Sequence, residues 1–213
     1  MPYPGARPEY SFIEWDGHCL RVEASDDGWV VGDVPLDDWL MANAAAPTAR
    51  RRPVLAYGSN ACPAKISWLR AEHGLTGPVV VLRARCTGLA AVWAAGRRVV
   101  DDQRPATLCA LTDVVEEHAV WLAADDQFAA LDACEGRGVR YRLARVHTGR
   151  VELADGSGLD APLAYVGLAA QRMPLLVDGR PVRCADTTQA HAMSLTGTSA
   201  ATDGLDVTVL PGP

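Results

Sequence analysis

The segment PVLAYGSN (residues 53–60) decides the fold, because an apolar strand pattern ends there in a tight turn before a helix. Pro63 stands where the first turn of a helix tolerates proline, and Gly74 is a typical helix end. The unpaired N–H groups and the dipole of that helix favour an anion such as a carboxylate at the turn. The side chains of Ser59 and Asn60 add hydrogen-bonding groups, whereas a simpler interpretation makes Asn60 an ordinary helix N-cap.

A second informative segment is LDACEG (residues 131–136), which closes a predicted helix at Gly136. Phe128, Leu131 and Glu135 fall nearly on one line of that helix, so Glu135 shares the apolar face. Burial and the helix C-terminus both disfavour a negative charge, and we expect a raised pKa for this carboxyl. That direction suits a general base working near neutral pH. The alternative is a frayed glutamate that extends into solvent.

Strand-like segments outnumber helices along the chain. Two or three helices interrupt many apolar segments, without the strict alternation that a parallel βαβ fold requires. This order predicts an α+β fold with a mixed, barrel-like β-sheet and a few flanking helices. We expect Gly88 to separate strands at 79–82 and 90–93, and two more strands at 106–111 and 118–123.

The pattern predicts three regions. Residues 1–52 form an N-terminal extension with a short helix and a hairpin turned at Asp16-Gly17. Residues 53–195 form the main domain, and residues 196–213 form a C-terminal tail with one predicted strand at 207–210. We expect the extension either to cover the mouth of the pocket or to form an oligomer interface, and no oligomeric state is predicted.

Composition places the chain among globular proteins that build their own core. Of its 213 residues, 49% are hydrophobic and 22% are charged, close to the usual values. Lys+Arg total 20 against 26 for Asp+Glu, and the net charge of −6 argues against nucleic-acid binding. The six cysteines contain no Cys-x-x-Cys pair, so no metal site is predicted. No apolar run reaches about 18 residues and no apolar signal stretch opens the chain, so we expect a cytoplasmic protein without membrane contact.

Together, the two segments resemble the gamma-glutamylcyclotransferase-like family, from about Pro53 to Leu168. The resemblance depends on the turn at 57–60, on the helix that ends at residues 131–136, and on Tyr141 and Arg142 soon after. A departure is Ala61, where the family commonly has a bulky apolar residue.

The resemblance implies the family's fold and an enzyme without metal or cofactor. Such a transferase or lyase of glutathione or gamma-glutamyl amine metabolism releases 5-oxoproline from a gamma-glutamyl amine or peptide, by attack of the substrate's α-amine on its own γ-carbonyl. It implies Glu135 as the catalytic acid and base. The substrate-binding residues that it implies are Tyr57, Gly58, Ser59, Asn60 and Tyr141.

Two functional alternatives stay open at this stage. A noncatalytic protein could use the same pocket to bind a gamma-glutamyl or other small carboxylate ligand, although the joint presence of Tyr57, Glu135 and Tyr141 argues for an enzyme. The leaving amine is also open, because the spacing from Glu135 to Tyr141 is similar to the gamma-glutamylamine branch and the turn to the glutathione-cycle branch. Arg172 and Arg183 are candidates to meet a substrate carboxylate.

Overall fold

The computed structural model describes residues 5–212 as a large mixed β-sheet flanked by a few helices. Residues 1–4 of the predicted extension and residue 213 of the predicted tail lie outside the described residues. The helices are α1 (Leu36–Ala42), α2 (Pro63–His73), α3 (Phe128–Glu135) and α4 (Gln189–Ser194), with 3-10 turns at Thr48–Arg50, Ser59–Ala61, Asp125–Gln127 and Ala170–Arg172. The strands are β1 (Ser11–Trp15), β2 (His18–Ser25), β3 (Gly28–Val31), β4 (Val34–Pro35), β5 (Arg52–Ala56), β6 (Val79–Trp93), β7 (Ala106–Ala123), β8 (Tyr141–Val146), β9 (Arg150–Leu153), β10 (Gly158–Leu159), β11 (Leu163–Gly167), β12 (Leu175–Val177), β13 (Arg180–Pro181), β14 (Thr198–Ser199) and β15 (Val207–Val209).

The main sheet runs in the order β15-β8-β11-β5-β7-β6-β1-β2-β3-β4, and β9 joins β10 to β6. The ladder between β11 and β5 is parallel, whereas the neighbouring ladders are antiparallel. A smaller sheet has the order β13-β12-β14. The α+β class and the mixed sheet predicted from the sequence are therefore confirmed.

The sheet does not close into a barrel anywhere in residues 5–212, so the barrel-like form predicted from the sequence is wrong. β8 and β9 follow each other in the chain, but β8 pairs with β11 and β15, whereas β9 pairs with β6 and β10. Residues 147–149 form the short loop between β8 and β9, and Gly149 in this loop has a φ of +73°. β15 pairs with the outer edge of β8 and is itself the last strand at that end of the main sheet.

Strands β6 and β7 are longer than predicted, since each unites two of the expected short strands. β6 continues through Gly88, which has a φ of +79°, and the pairing register with β7 shifts between Thr87 and Leu89. Gly88 of β6 stands here opposite residues 111–114 of β7, so the irregularity lies mainly on β7. The pairing of β6 with β7 resumes beyond this irregularity, so each strand passes through the segment predicted as a break.

The main sheet buries apolar side chains on both faces. Leu55 of β5 belongs to one buried cluster, whereas its neighbours Val54 and Ala56 belong to the other, as the period of a strand requires. α1 packs on the first cluster through Leu40. α2 and α3 contact each other and cover the second cluster with Ile66, Leu69, Phe128, Ala130 and Leu131. This packing brings the start of α2 close to the end of α3.

The N-terminal extension and the tail add strands to the same sheet. β1 and β2 form a hairpin at Asp16-Gly17, and β1 pairs with β6. At the other end, β15 pairs with β8 and occupies most of the strand expected at 207–210. Within residues 5–212, no helix combines the length and the apolar character that crossing a membrane demands.

Candidate active site

The turn after β5 leads directly into α2. Tyr57-Gly58 follows the strand, the 3-10 turn Ser59–Ala61 comes next, and α2 begins at Pro63. Cys62 occupies the N-cap position of α2 and makes no capping hydrogen bond with its side chain. The interpretation of Asn60 as an ordinary N-cap is therefore wrong, and its side chain is available for another contact.

Asn60 and Glu135 meet in the structure, although 75 residues separate them in the chain. Nδ2 of Asn60 donates a hydrogen bond of 2.8 Å to Oε1 of Glu135. α3 ends at Glu135, and Gly136 follows in the left-handed conformation with a φ of +61°. Glu135 is half-buried and hydrogen-bonded, so it is not the frayed, solvated glutamate of the alternative interpretation.

Burial raises the pKa of the Glu135 carboxyl above its ordinary value. The hydrogen bond from Asn60 and the charges of Lys65, Arg140 and Arg98 lower that pKa, but they do not outweigh the loss of solvent. A carboxyl group with a raised pKa in a cavity is a typical general base. The site therefore holds a group that can accept a proton and later return it.

Arg140 holds the end of α3. Its Nη2 donates a hydrogen bond of 2.7 Å to the carbonyl oxygen of Cys134, and its Nε donates one of 3.2 Å to that of Glu135. These carbonyls belong to the last turn, where no intrahelical partner is present. A Cβ atom at Gly136 would lie 2.8 Å from the Arg140 guanidinium, so glycine permits both the positive φ and this contact. Arg140 thereby positions the backbone that carries Glu135.

Buried tyrosines connect α3 to the sheet. The hydroxyl of Tyr57 donates to the carbonyl oxygen of Tyr165, and the hydroxyl of Tyr165 donates to Oδ1 of Asp132 at 2.6 Å. Burial and the Asp132 carboxylate raise the pKa of Tyr165, which keeps its hydroxyl a donor. Tyr141 directs its hydroxyl to the carbonyl oxygen of Ala106 at 3.3 Å. These tyrosines form a fixed wall, because each hydroxyl contacts the protein itself.

These residues line a cavity of about 830 Å³. Arg172 lines it too, whereas Arg183 lies elsewhere and pairs with Glu116 and Asp186. The residues predicted from the sequence that line the cavity are Tyr57, Gly58, Ser59, Asn60, Glu135 and Tyr141. The sequence analysis missed several further lining residues, which include Lys65, Arg98, Arg140 and Tyr165.

Three of the missed residues are the cations Lys65, Arg98 and Arg140. Lys65 lies on α2 five residues after Asn60, and no local pattern in the sequence distinguished it from an exposed helix cation. It lies 3.5 Å from the ring centroid of Trp68 and forms a hydrogen bond with the side chain of Cys134. Arg98 pairs with Asp101 at 3.2 Å in the connection between β6 and β7, where no local pattern pointed to the site. This lining favours anionic ligands, since positive charge in a cleft raises the local concentration of anions.

The N-terminal extension contributes to the cavity wall. Gly5 lines the cavity, and Nη1 of Arg7 donates a hydrogen bond of 3.4 Å to the carbonyl oxygen of Tyr57. A Cβ atom at Gly5 would lie 2.6 Å from Sγ of Cys62, so the extension approaches the start of α2 closely. Part of the cavity wall therefore comes from the N-terminal segment that contains Gly5 and Arg7.

No protein-family model and no curated protein matches the chain. Among solved structures, the chain is similar to an uncharacterized protein from Homo sapiens, with 16% identity and a TM-score of 0.46 over 56% of this chain and 68% of that one. It is also similar to YkqA from Bacillus subtilis, with 16% identity and a TM-score of 0.44 over 76% of this chain and 58% of that one. These values are low, and the functional argument therefore rests on the site itself.

Proposed function

We propose that this chain is a cytoplasmic, gamma-glutamylcyclotransferase-like enzyme that releases 5-oxoproline from a gamma-glutamyl amine or peptide without a metal or cofactor. The observation that carries the proposal is the hydrogen bond of 2.8 Å between Asn60 and Glu135. It holds a carboxyl group of raised pKa against the turn of residues 57–60, inside a cavity large enough for a small peptide.

The gamma-glutamyl group offers three features to this site: an α-carboxylate, an α-ammonium and a γ-carbonyl. The backbone N–H groups around Gly58 and the hydroxyl of Ser59 suit the carboxylate or the developing oxyanion. Oδ1 of Asn60 is buried without a hydrogen-bond partner among the described residues. A buried oxygen without a hydrogen-bond donor lowers the stability of the folded protein. The α-ammonium of a substrate bound beside Glu135 would donate a hydrogen bond to this oxygen.

Glu135 moves the protons in the proposed reaction. The α-amine is largely protonated at pH 7, and the Glu135 carboxylate accepts its proton. The free amine attacks the γ-carbonyl carbon, which closes the ring and forms a tetrahedral intermediate. As the bond from that carbon to the leaving nitrogen breaks, the Glu135 carboxyl donates its proton to the leaving nitrogen. The regenerated carboxylate then takes the second proton from the ring nitrogen, which leaves a neutral lactam, and passes it to the released amine. The products are 5-oxoproline and a free amine.

The proposal is tested by mass-spectrometric detection of 5-oxoproline after incubation with a panel of gamma-glutamyl amino acids, peptides and amines. The wild-type protein is expected to release 5-oxoproline from at least one of them. Glu135→Gln keeps an oxygen that can accept from Asn60, but it is expected to lower turnover by about 10²–10⁴-fold because it cannot carry the proton. Glu72→Gln, an exposed change on α2, is the matched control and keeps full activity.

Two outcomes contradict the proposal in different ways. Equal product from wild type and Glu135→Gln would remove Glu135 from the chemistry. Ligand binding by both proteins, with no product from any panel member, would favour the noncatalytic binding protein that uses the same cavity.

A further inference from the structure

α3 carries a second carboxylate, Asp132, three residues before Glu135. Its side chain is 14% exposed, and it is not among the described residues that line the cavity, whereas Glu135 is. A largely buried carboxylate in a folded protein is normally paired or hydrogen-bonded. Both oxygens of Asp132 accept from protein donors, so its role lies in the contacts that it makes within the chain.

Tyr165 and Arg137 hold the two oxygens of Asp132. The hydroxyl of Tyr165, a residue 3% exposed, donates a hydrogen bond of 2.6 Å to Oδ1, and Nη1 of Arg137 donates one of 2.9 Å to Oδ2. Tyr165 belongs to β11, so the first contact ties α3 to the main sheet. Arg137 also donates to the carbonyl oxygen of Pro211, so the second contact ties α3 to the C-terminal tail.

The backbone of Asp132 takes part in the same end of the helix. The N–H of Arg137 donates a hydrogen bond of 3.0 Å to the carbonyl oxygen of Asp132, and that of Gly136 donates one of 3.2 Å to the carbonyl oxygen of Ala133. This pair of bonds around a left-handed glycine is the Schellman ending of a helix. Asp132 and Arg137 are thus joined twice, through backbone and side chains, on either side of Glu135.

Glu135 meets a partner, Asn60, that comes from another element. Their hydrogen bond of 2.8 Å requires the last turn of α3 to keep its direction relative to the start of α2. The hydroxyl of Tyr57 donates to the carbonyl oxygen of Tyr165. The turn that carries Asn60 and the strand that holds Asp132 are therefore connected to each other as well.

We propose that Asp132 is a positioning residue for Glu135: held between Tyr165 and Arg137, it fixes the last turn of α3 so that the Glu135 carboxyl meets Asn60 and the substrate. This inference rests on the proposed function. Asp132 takes no part in proton transfer. Its removal should lower kcat with little change in KM, because the turn of residues 57–60 that binds the substrate is kept.

Three variants test the assignment. Asp132→Ala is expected to lower kcat by about 10- to 100-fold and to change KM by less than about twofold, since a displacement of about 1 Å costs about 10²-fold in rate. Tyr165→Phe removes one hydroxyl and should act in the same direction, and the double variant should lose no more than Asp132→Ala because both residues act through one contact. Asp132→Asn keeps an oxygen that can accept from Tyr165, so it is expected to retain most of the turnover.

Gln127 provides a matched control at the other end of the same helix. Its Oε1 accepts a hydrogen bond of 3.0 Å from Nε1 of Trp121, and its Nε2 donates to the carbonyl oxygens of Thr76 and Pro78. Gln127→Leu removes these buried contacts at the start of α3. It is expected to lower the melting temperature without lowering kcat.

Nuclear magnetic resonance separates this inference from the proposed reaction. In the wild type, the side-chain amide signals of Asn60 are expected to shift as Glu135 titrates, since the two groups share a hydrogen bond. Asp132→Ala should reduce this response, whereas Gln127→Leu should keep it. If no gamma-glutamyl compound is turned over but the Asp132-dependent response is present, the positioning role stands and the proposed reaction fails.

Three results would overturn the inference. The first is a normal kcat and a normal Asn60 response in both Asp132→Ala and Tyr165→Phe, and Tyr165→Phe alone decides this point where Asp132→Ala does not fold. The second is an equal loss of kcat in Gln127→Leu, which would mean that turnover follows the general stability of α3. The third is additive losses in the double variant, which would mean that Tyr165 acts independently of Asp132.

Discussion

A buried ion pair between Glu14 and Arg70 joins the N-terminal extension to the helix that follows the candidate site. Nε and Nη2 of Arg70 lie 2.8 and 2.6 Å from Oε2 of Glu14. The Glu14 side chain is 2% exposed and that of Arg70 is 21% exposed. Arg70 also donates to the carbonyl oxygens of Glu14, Leu75 and Gly77. The pair therefore fixes β1 against α2 and the turn after it.

The two halves of the pair differ in their surroundings, so their removal is expected to differ in cost. Arg70→Met leaves the Glu14 carboxylate buried without a cation and should lower the free energy of unfolding by about 3–5 kcal/mol. Glu14→Gln leaves Arg70 with three carbonyl acceptors and some contact with water. Its expected cost is about 1–3 kcal/mol, the range for a partly satisfied polar group.

Urea-induced unfolding followed by tryptophan fluorescence measures both costs at pH 7. The exposed pair of Arg21 and Glu23, with side chains 64% and 57% exposed, is the control. Arg21→Gln is expected to change the free energy of unfolding by less than about 1 kcal/mol. A smaller cost for Arg70→Met than for Glu14→Gln, or costs for both that match the control, would refute the reasoning from burial.

Three further predictions concern the end of α3. Because burial raises the pKa of Glu135, kcat/KM should rise with pH through a midpoint above the ordinary value of 4.5, and a lower midpoint would contradict the role of this base. Because the pKa of Glu135 is higher in the folded state than in the unfolded state, the Glu135 carboxyl stabilises the folded protein fully at acidic pH, and this stabilisation is lost as pH rises through the folded-state pKa. The melting temperature of Glu135→Gln relative to that of the wild type should therefore increase with pH. A difference in melting temperature between the two proteins that does not change with pH would contradict a raised pKa for Glu135. Gly136→Ala should cost about 1–2 kcal/mol from its φ of +61° and also lower turnover, since the new Cβ would displace Arg140. Gly138 also has a positive φ, +82°, but an added Cβ there would meet open space, so Gly138→Ala is the control. A similar loss of turnover in Gly138→Ala would mean that displacement of Arg140 does not cause the loss in Gly136→Ala.

Local chemistry allowed the ends of several elements to be predicted. The Asp16-Gly17 turn, the start of α2 at Pro63 and the ends of two helices at Gly74 and Gly136 all depend on backbone conformations set within a few residues. Each of these elements begins or ends in the structure where the sequence predicts. The α+β class followed from the order of the elements alone.

Contacts between distant residues could not be predicted in this way. Gly88 indicated a strand break, but a Cβ atom there would lie 3.3 Å from Cα of Gly149, so the glycine instead allows two backbones to pass closely. The contact between Asn60 and Glu135 depends on how α2 and α3 pack on the sheet. Nothing near Arg172 in the sequence indicated that it would be buried without a carboxylate partner.

The charges around the cavity divide into two kinds, although the chain as a whole carries a net charge of −6. Lys65, Arg98 and Arg140 contact protein groups, and their charges lower the pKa of Glu135 against the effect of burial. That balance matters, because a buried carboxyl without nearby cations would stay protonated and could not act as a base at neutral pH. Arg172 has no carboxylate partner in the described part of the chain, and its Nη1 donates only a long hydrogen bond to the carbonyl oxygen of Arg97. The hydrogen bond from Asn60 and these three cations therefore act together against the effect of burial on the pKa of the Glu135 carboxyl.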